Sequence, residues 1–243
     1  MIKFFKIIRQ KLLSENKFSK YLLYAIGEIV LVVIGILIAL QIKNLNENRK
    51  LEKLEIILLK EIQDNLRADI QDIKFNIDFH ETGIQSANII LSSFENELPY
   101  NDTLNKHYGK VPMIPRFQPT ENAYNSLNKE GMRIIQNDSL RNAISHHYEI
   151  TVSFLMDWND AEWNTQMQDH RELYRKYFKS FNFWGDLVPV DYNSLMKNQE
   201  YKNYLNNRIG WLTPIIGMYK SEGIGGAEKL IDLIENELEN REK

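Results

Sequence analysis

The run from Tyr21 to Ile42, YLLYAIGEIVLVVIGILIALQI, constrains this chain more than any other stretch, because it carries a single charge, Glu28, in an otherwise apolar segment. At ~1.5 Å per residue a helix of this length crosses a hydrocarbon core of ~30 Å. The run is longer than the ~7–15 apolar residues of a cleaved signal peptide, and no A-x-A-like site follows it, so it reads as an uncleaved signal anchor. The chain divides into a basic head at 1–20, a transmembrane helix at 21–42 and a long polar tail at 43–243.

The net charge of −3 conceals an asymmetry. Lys3, Lys6, Arg9, Lys11, Lys17 and Lys20 face only Glu15 in the head, a net of +5; with −1 in the span, the tail holds −7. An acidic tail argues against nucleic acid as its main partner, since phosphate binding needs a basic patch. Six Lys/Arg precede the span and four follow closely, at Lys43, Arg49, Lys50 and Lys53. That bias places the N-terminus in the cytoplasm and the tail outside. No cysteine is present, which removes disulfides and thiolate metal sites.

In the head, Phe5, Ile8 and Leu12 fall at helical spacing between cations. This fits either an amphipathic helix on an anionic leaflet or a helical lead-in to the span. Beyond the span, Leu51, Leu54, Leu58, Ile62, Leu66, Ile70, Ile73 and Ile77 form one apolar stripe, resumed at Ile84, Ala87, Leu91, Phe94 and Leu98. A helix over 43–98 follows, ended by Pro99 and bent at Gly83. Its stripe reads the same whether it packs within its own chain or as a coiled coil against a neighbour.

Pro99, Pro112, Pro115 and Pro119 break the helical pattern, so 99–119 reads as an extended excursion with a short strand at Lys110–Ile114. Thr120 is expected to cap a short helix that Gly131 closes, and Asp138 or Asn137 caps the next long one. The stripe of that helix is Leu140, Ile144, His147, Thr151, Phe154, Trp158, Ala161 and Thr165. A helix from about Asp191 carries Leu195, Tyr201, Tyr204, Leu205, Ile209, Leu212, Ile216 and Tyr219, with Pro214 kinking it. Glycines 223, 225 and 226 form a joint before a last helix. The sum is an all-α tail, an antiparallel helical bundle.

The opening IKFFKIIRQKLLSENKFSKYLLYAIGEI, then VVIGILIALQI and the stretch Asn44–Arg49, resembles an uncharacterised single-span membrane protein family of Bacteroidota. The likeness is densest over residues 1–50, with Gly27-Glu28 inside the span its most specific mark, and continues at Asn137–Arg141 leading into Ile144–Tyr148. The resemblance implies a Gram-negative inner membrane. The family has no assigned activity and supplies no catalytic residues.

Glu28 is the sharpest functional candidate. An ionised carboxylate in a span costs ~2.5–3.5 kcal/mol on insertion scales, so it either meets a partner or lies shallow enough to snorkel or to be protonated. Gly27 and Gly35 are small residues that allow close helix approach nearby. His146 and His147 diverge by ~100° on a helix and cannot share a metal, and the Glu-x-x-His pairs of a di-iron bundle are missing. No G-x-S-x-G occurs, and Gly223–Gly226 lacks the Lys-Ser/Thr of a phosphate loop. No catalytic, cofactor or metal residues are therefore assigned.

A dense aromatic set fills the helix and the turn after it. Phe181, Phe183, Trp184, Trp158 and Trp163 are its candidates for a partner or ligand face, against a plain bundle-core role for the set as a whole. Two readings follow. One is a non-enzymatic assembly or scaffold component in the lipid bilayer, a homo-oligomer or the partner of another membrane protein. The other is a periplasmic ligand-binding sensor domain signalling through a separate protein.

Overall fold

The computed structural model describes residues 18–180, 182 and 185–242. Residues 1–17 of the basic head, and Phe181, Phe183 and Trp184 of the aromatic turn, lie outside the described residues. The fold is all-α, and among the described residues no strand forms; one isolated antiparallel bridge joins Phe178 and Pro189. The chain makes two compact units, divided between Glu55 and Ile56.

Helix α1 runs Phe18–Glu95. In the first unit it contains a window of mean hydropathy 2.6, none of it buried, long and apolar enough to cross a membrane. In the second unit the same helix supplies the central core stripe, with Leu59, Ile62, Leu66, Ile73, Ile90 and Phe94 buried. It stops at Glu95, three residues before the expected end. The amide of Leu98 donates to the Ser93 carbonyl at 3.0 Å and that of Glu97 to Phe94 at 3.3 Å. Glu97 takes φ 50°, the left-handed residue of a Schellman stop. Leu98, drawn from the continued stripe as a core residue, is therefore exposed.

The proline-rich stretch holds a helix, not a strand. Twelve residues separate Pro99 from Pro112 without another proline, and α2 (Leu104–Lys110) forms there, burying Leu104 and Tyr108. The strand expected at Lys110–Ile114 is absent: Lys110 belongs to α2, and Pro112 removes a ladder donor from the rest. Helix α3 (Asn122–Glu130) follows, with Glu121 rather than Thr120 at its N-cap position and no side-chain cap. It ends at Gly131, whose φ of 105° only glycine adopts without strain.

Asn137 resolves the capping alternative: its side chain accepts from the amides of Ser139 at 3.0 Å and Leu140 at 3.2 Å, opening α4 (Asp138–His146). A π-helical turn, His147–Val152, then joins α4 to α5 (Ser153–Tyr177). The wider turn inserts one residue and rotates the buried face. The expected stripe Thr151, Phe154, Trp158, Ala161, Thr165 gives way to Val152, Leu155, Asn159, Glu162, Gln166 and His170. Phe154 is exposed as a result.

Helix α6 (Tyr192–Lys197), capped by Asp191, is separated by Asn198 from α7 (Gln199–Met218). Pro214 lies inside α7 without ending it. The glycine joint is a second π turn, Tyr219–Ile224, leading directly into α8 (Gly225–Glu242). Gly223 packs closely there: a Cβ would lie 2.8 Å from Ile73 Cδ1 of α1, so that side chain would have to shift to admit one. Tyr108, Tyr174, Phe178 and Tyr201 form an aromatic cluster in the second unit, with ring centroids 5.2 Å apart for Tyr108–Phe178 and 5.9 Å for Phe178–Tyr201.

Asn137→Ala removes the cap of α4 and lowers stability by about 1 kcal/mol, while Asn137→Ser recovers most of it. Urea unfolding of the detergent-solubilised chain, followed by circular dichroism, measures both.

Candidate functional site

The shifted face of α5 brings polar side chains into the bundle, and Arg208 of α7 answers them. Arg208 is fully buried. Its guanidinium donates to Glu162 Oε1 at 2.9 Å, to the Val111 carbonyl at 3.1 Å and to the Met113 carbonyl at 2.8 Å. The proline-rich segment has few helical or strand partners of its own, so its polar groups must be satisfied from elsewhere. Asn159 donates to the Phe117 carbonyl at 3.4 Å, and Asp72 and Asp69 of α1 accept from the amides of Gln118 at 3.0 Å and Thr120 at 2.8 Å. Four side chains on three helices thus hold one irregular segment in place.

That segment is one wall of a cavity of about 770 Å³. Phe75 and Phe79 of α1, Met113, Ile114 and Pro115 of the segment, and Trp163, Met167 and Phe178 give it an apolar lining. Arg116, Arg171, Arg175 and Lys179 add cations, against Asp72 as the lining carboxylate. The volume falls in the range of small-molecule sites, ~300–1,000 Å³.

His170 belongs to the wall and is buried. Its Nδ1 shares a 2.7 Å hydrogen bond with the Tyr204 hydroxyl, which lies 3.4 Å from that of Tyr174. Its Nε2 has no partner among the described residues. Burial, with the nearby Arg208 charge, pushes the imidazole down to about 3, so His170 is neutral at pH 7. His80 of α1 is likewise driven to about 3, stacks on Tyr219 at 5.9 Å, and places Nε2 3.9 Å from Glu162 Oε2. Burial raises the Glu162 carboxyl and Arg208 opposes the rise.

The residues singled out in the sequence separate. Trp163 lines the cavity, with the Arg116 guanidinium 5.7 Å from its ring centroid. Trp158, five positions earlier, faces elsewhere and packs against Phe154 at 6.4 Å and Trp211 at 5.8 Å. Tyr148, Tyr174 and Phe178, aromatic residues of the same stretch, are buried in the core. Gly27 and Gly35 lie on the exposed part of α1, where an added Cβ would meet nothing within 4 Å. Glu28 is partly exposed there. His147 is buried, as its place on the stripe implied, and burial pushes it to about 4. The sequence shows Glu162 and His170 only as rejected metal ligands and gives no sign of their burial, because a straight α-helical stripe leaves both outside the apolar face. Arg208 is not marked at all beside its apolar neighbours Leu205 and Ile209.

Residues 28–184 match a family of unknown function (DUF6090). The chain belongs to this family. All the cavity-lining residues fall inside the family's matched region, whereas Arg208 lies beyond it. No curated protein and no solved structure gives a significant match to the chain.

Arg208→Met strands Glu162 as a buried charge and costs about 3–5 kcal/mol by chemical unfolding; adding Glu162→Leu recovers the part due to the stranded carboxylate and leaves the loss of the Val111 and Met113 carbonyl bonds, about 1 kcal/mol each. A pH signature comes from Asp69. Burial lifts its carboxyl to about 6, with Asp72 and Glu121 adding to the rise against the Thr120 hydrogen bonds. The folded state therefore binds the proton more tightly than the unfolded chain, and stability falls as pH rises from about 4 to about 6. Asp69→Asn removes this loss, so the melting temperature of the variant relative to wild type climbs across that window and levels above it. A constant difference across the window contradicts the assignment.

Proposed function

We propose that this chain is a non-enzymatic, membrane-anchored ligand-binding protein. The span holds it in a bacterial inner membrane, with the N-terminus cytoplasmic and the helical bundle in the periplasm. The bundle takes up a small ligand and passes its occupancy to a partner protein. The observation that carries this reading is the cavity, which combines pocket-like volume, an apolar lining and cationic side chains on its wall.

The anchor supports a second, compatible reading as an assembly element. None of its apolar window is buried, and the surroundings of Gly27 and Gly35 are open. Small residues flanking Glu28 suit the close approach of a second copy or of another membrane protein's helix.

Native mass spectrometry of the full chain released from nanodiscs tests the binding role. Wild type is expected to carry a small-molecule adduct that Met167→Trp, which fills the cavity, loses without loss of helical content. Identical adduct-free spectra for both, with no compound in a broad small-molecule screen raising the melting temperature, contradict it.

A further inference from the structure

The charge on the cavity is one-sided. Arg171 and Arg175, one helical turn apart on α5, and Lys179 just beyond it all line the cavity. Among the described residues none of the three forms an ion pair. Like charges at i, i+4 repel each other, and an anion reached by both removes that repulsion. The other two charged lining groups are already engaged. Arg116 pairs with Asp160 and sits over the Trp163 ring. Asp72 accepts from the Gln118 amide at 3.0 Å and from Asn76 Nδ2 at 3.3 Å.

The remaining surface is hydrocarbon and aromatic. Phe75 is exposed, and its ring lies 4.6 Å from that of Phe79, so an apolar face opens beside the cations. Uncharged apolar molecules would leave three cations unused, and small inorganic anions would leave the apolar volume empty.

We infer that the occupant is a single-chain anionic amphiphile. Its carboxylate or phosphate headgroup is held by Arg171, Arg175 and Lys179, and its hydrocarbon chain lies against Phe75, Phe79, Ile114 and Met167. This rests on the reading of the cavity as a ligand site. The guanidinium pair is the selective element, because Arg binds carboxylate and phosphate through paired donors. The chain supplies affinity through burial of methylenes.

The test is calorimetric titration of the full chain in phosphatidylcholine nanodiscs, with empty nanodiscs as the blank. The probes are octanoate, decanoate, decanol and inorganic phosphate. Decanoate is expected to bind roughly tenfold more tightly than octanoate, from two added methylenes. Arg171→Gln/Arg175→Gln should weaken decanoate roughly tenfold and leave decanol unchanged. Both substituted residues are exposed, so the variant folds, and circular dichroism checks it.

Equal binding of decanoate and decanol, or equal loss of both in the double variant, overturns the anion preference while leaving the ligand site standing. Phosphate binding as tightly as decanoate overturns the amphiphile. If no probe binds wild type and Met167→Trp behaves identically in every titration, the ligand-site reading falls with it.

Discussion

A fully buried guanidinium organises the second unit. Arg208 cannot shed its charge, so its burial requires an acceptor for each face of the fork. The structure supplies Glu162 from α5 and the carbonyls of Val111 and Met113 from the proline-rich segment. The attraction to Glu162 offsets part of the desolvation cost, and the carbonyls engage Nε and Nη2, so each guanidinium nitrogen has one acceptor. One side chain thereby ties α7 to α5 and fixes a segment that has little regular structure of its own. The same charge helps keep His80 and His170 neutral. Arg208 thereby tethers the segment that forms one wall of the cavity.

Much of the architecture follows from spacing alone. Hydropathy places the candidate span, and the 3-and-4 stripe from Leu58 to Ile77 names residues that are all buried, whereas Leu59, Gln63, Asn65, Asp69 and Asn76 are buried beside them without belonging to it, and Leu51 at its start is exposed. Asn137, Gly131 and Asp191 mark helix ends through chemistry that a sequence displays. The proline excursion was legible as a break, and its inner helix was not, because α2 is short and rests on burial of Leu104 and Tyr108 against distant partners.

The polar core was hidden for a different reason. Periodicity assumes 3.6 residues per turn, and the π turn at His147–Val152 violates that assumption. Every position after it slips by one, which exchanges the apparent aromatic stripe for Asn159, Glu162, Gln166 and His170. Once the slip is known, Arg208 is the expected counterpart, since a buried carboxylate demands a cation. The site lies where local pattern and tertiary packing disagree, and functional residues concentrate at such disagreements. Family membership places the whole cavity lining within the matched region, so the wall and the basic rim belong to the shared part of the chain.

If Arg208 holds the cavity wall in position, hydrogen–deuterium exchange of the full chain will show it, comparing wild type with Arg208→Met/Glu162→Leu, in which no charge is left buried alone. Faster exchange is expected in peptides spanning residues 110–120 while those covering Ile62–Ile77 stay protected. Unchanged exchange across 110–120 in a folded double variant would show that the wall stands without Arg208.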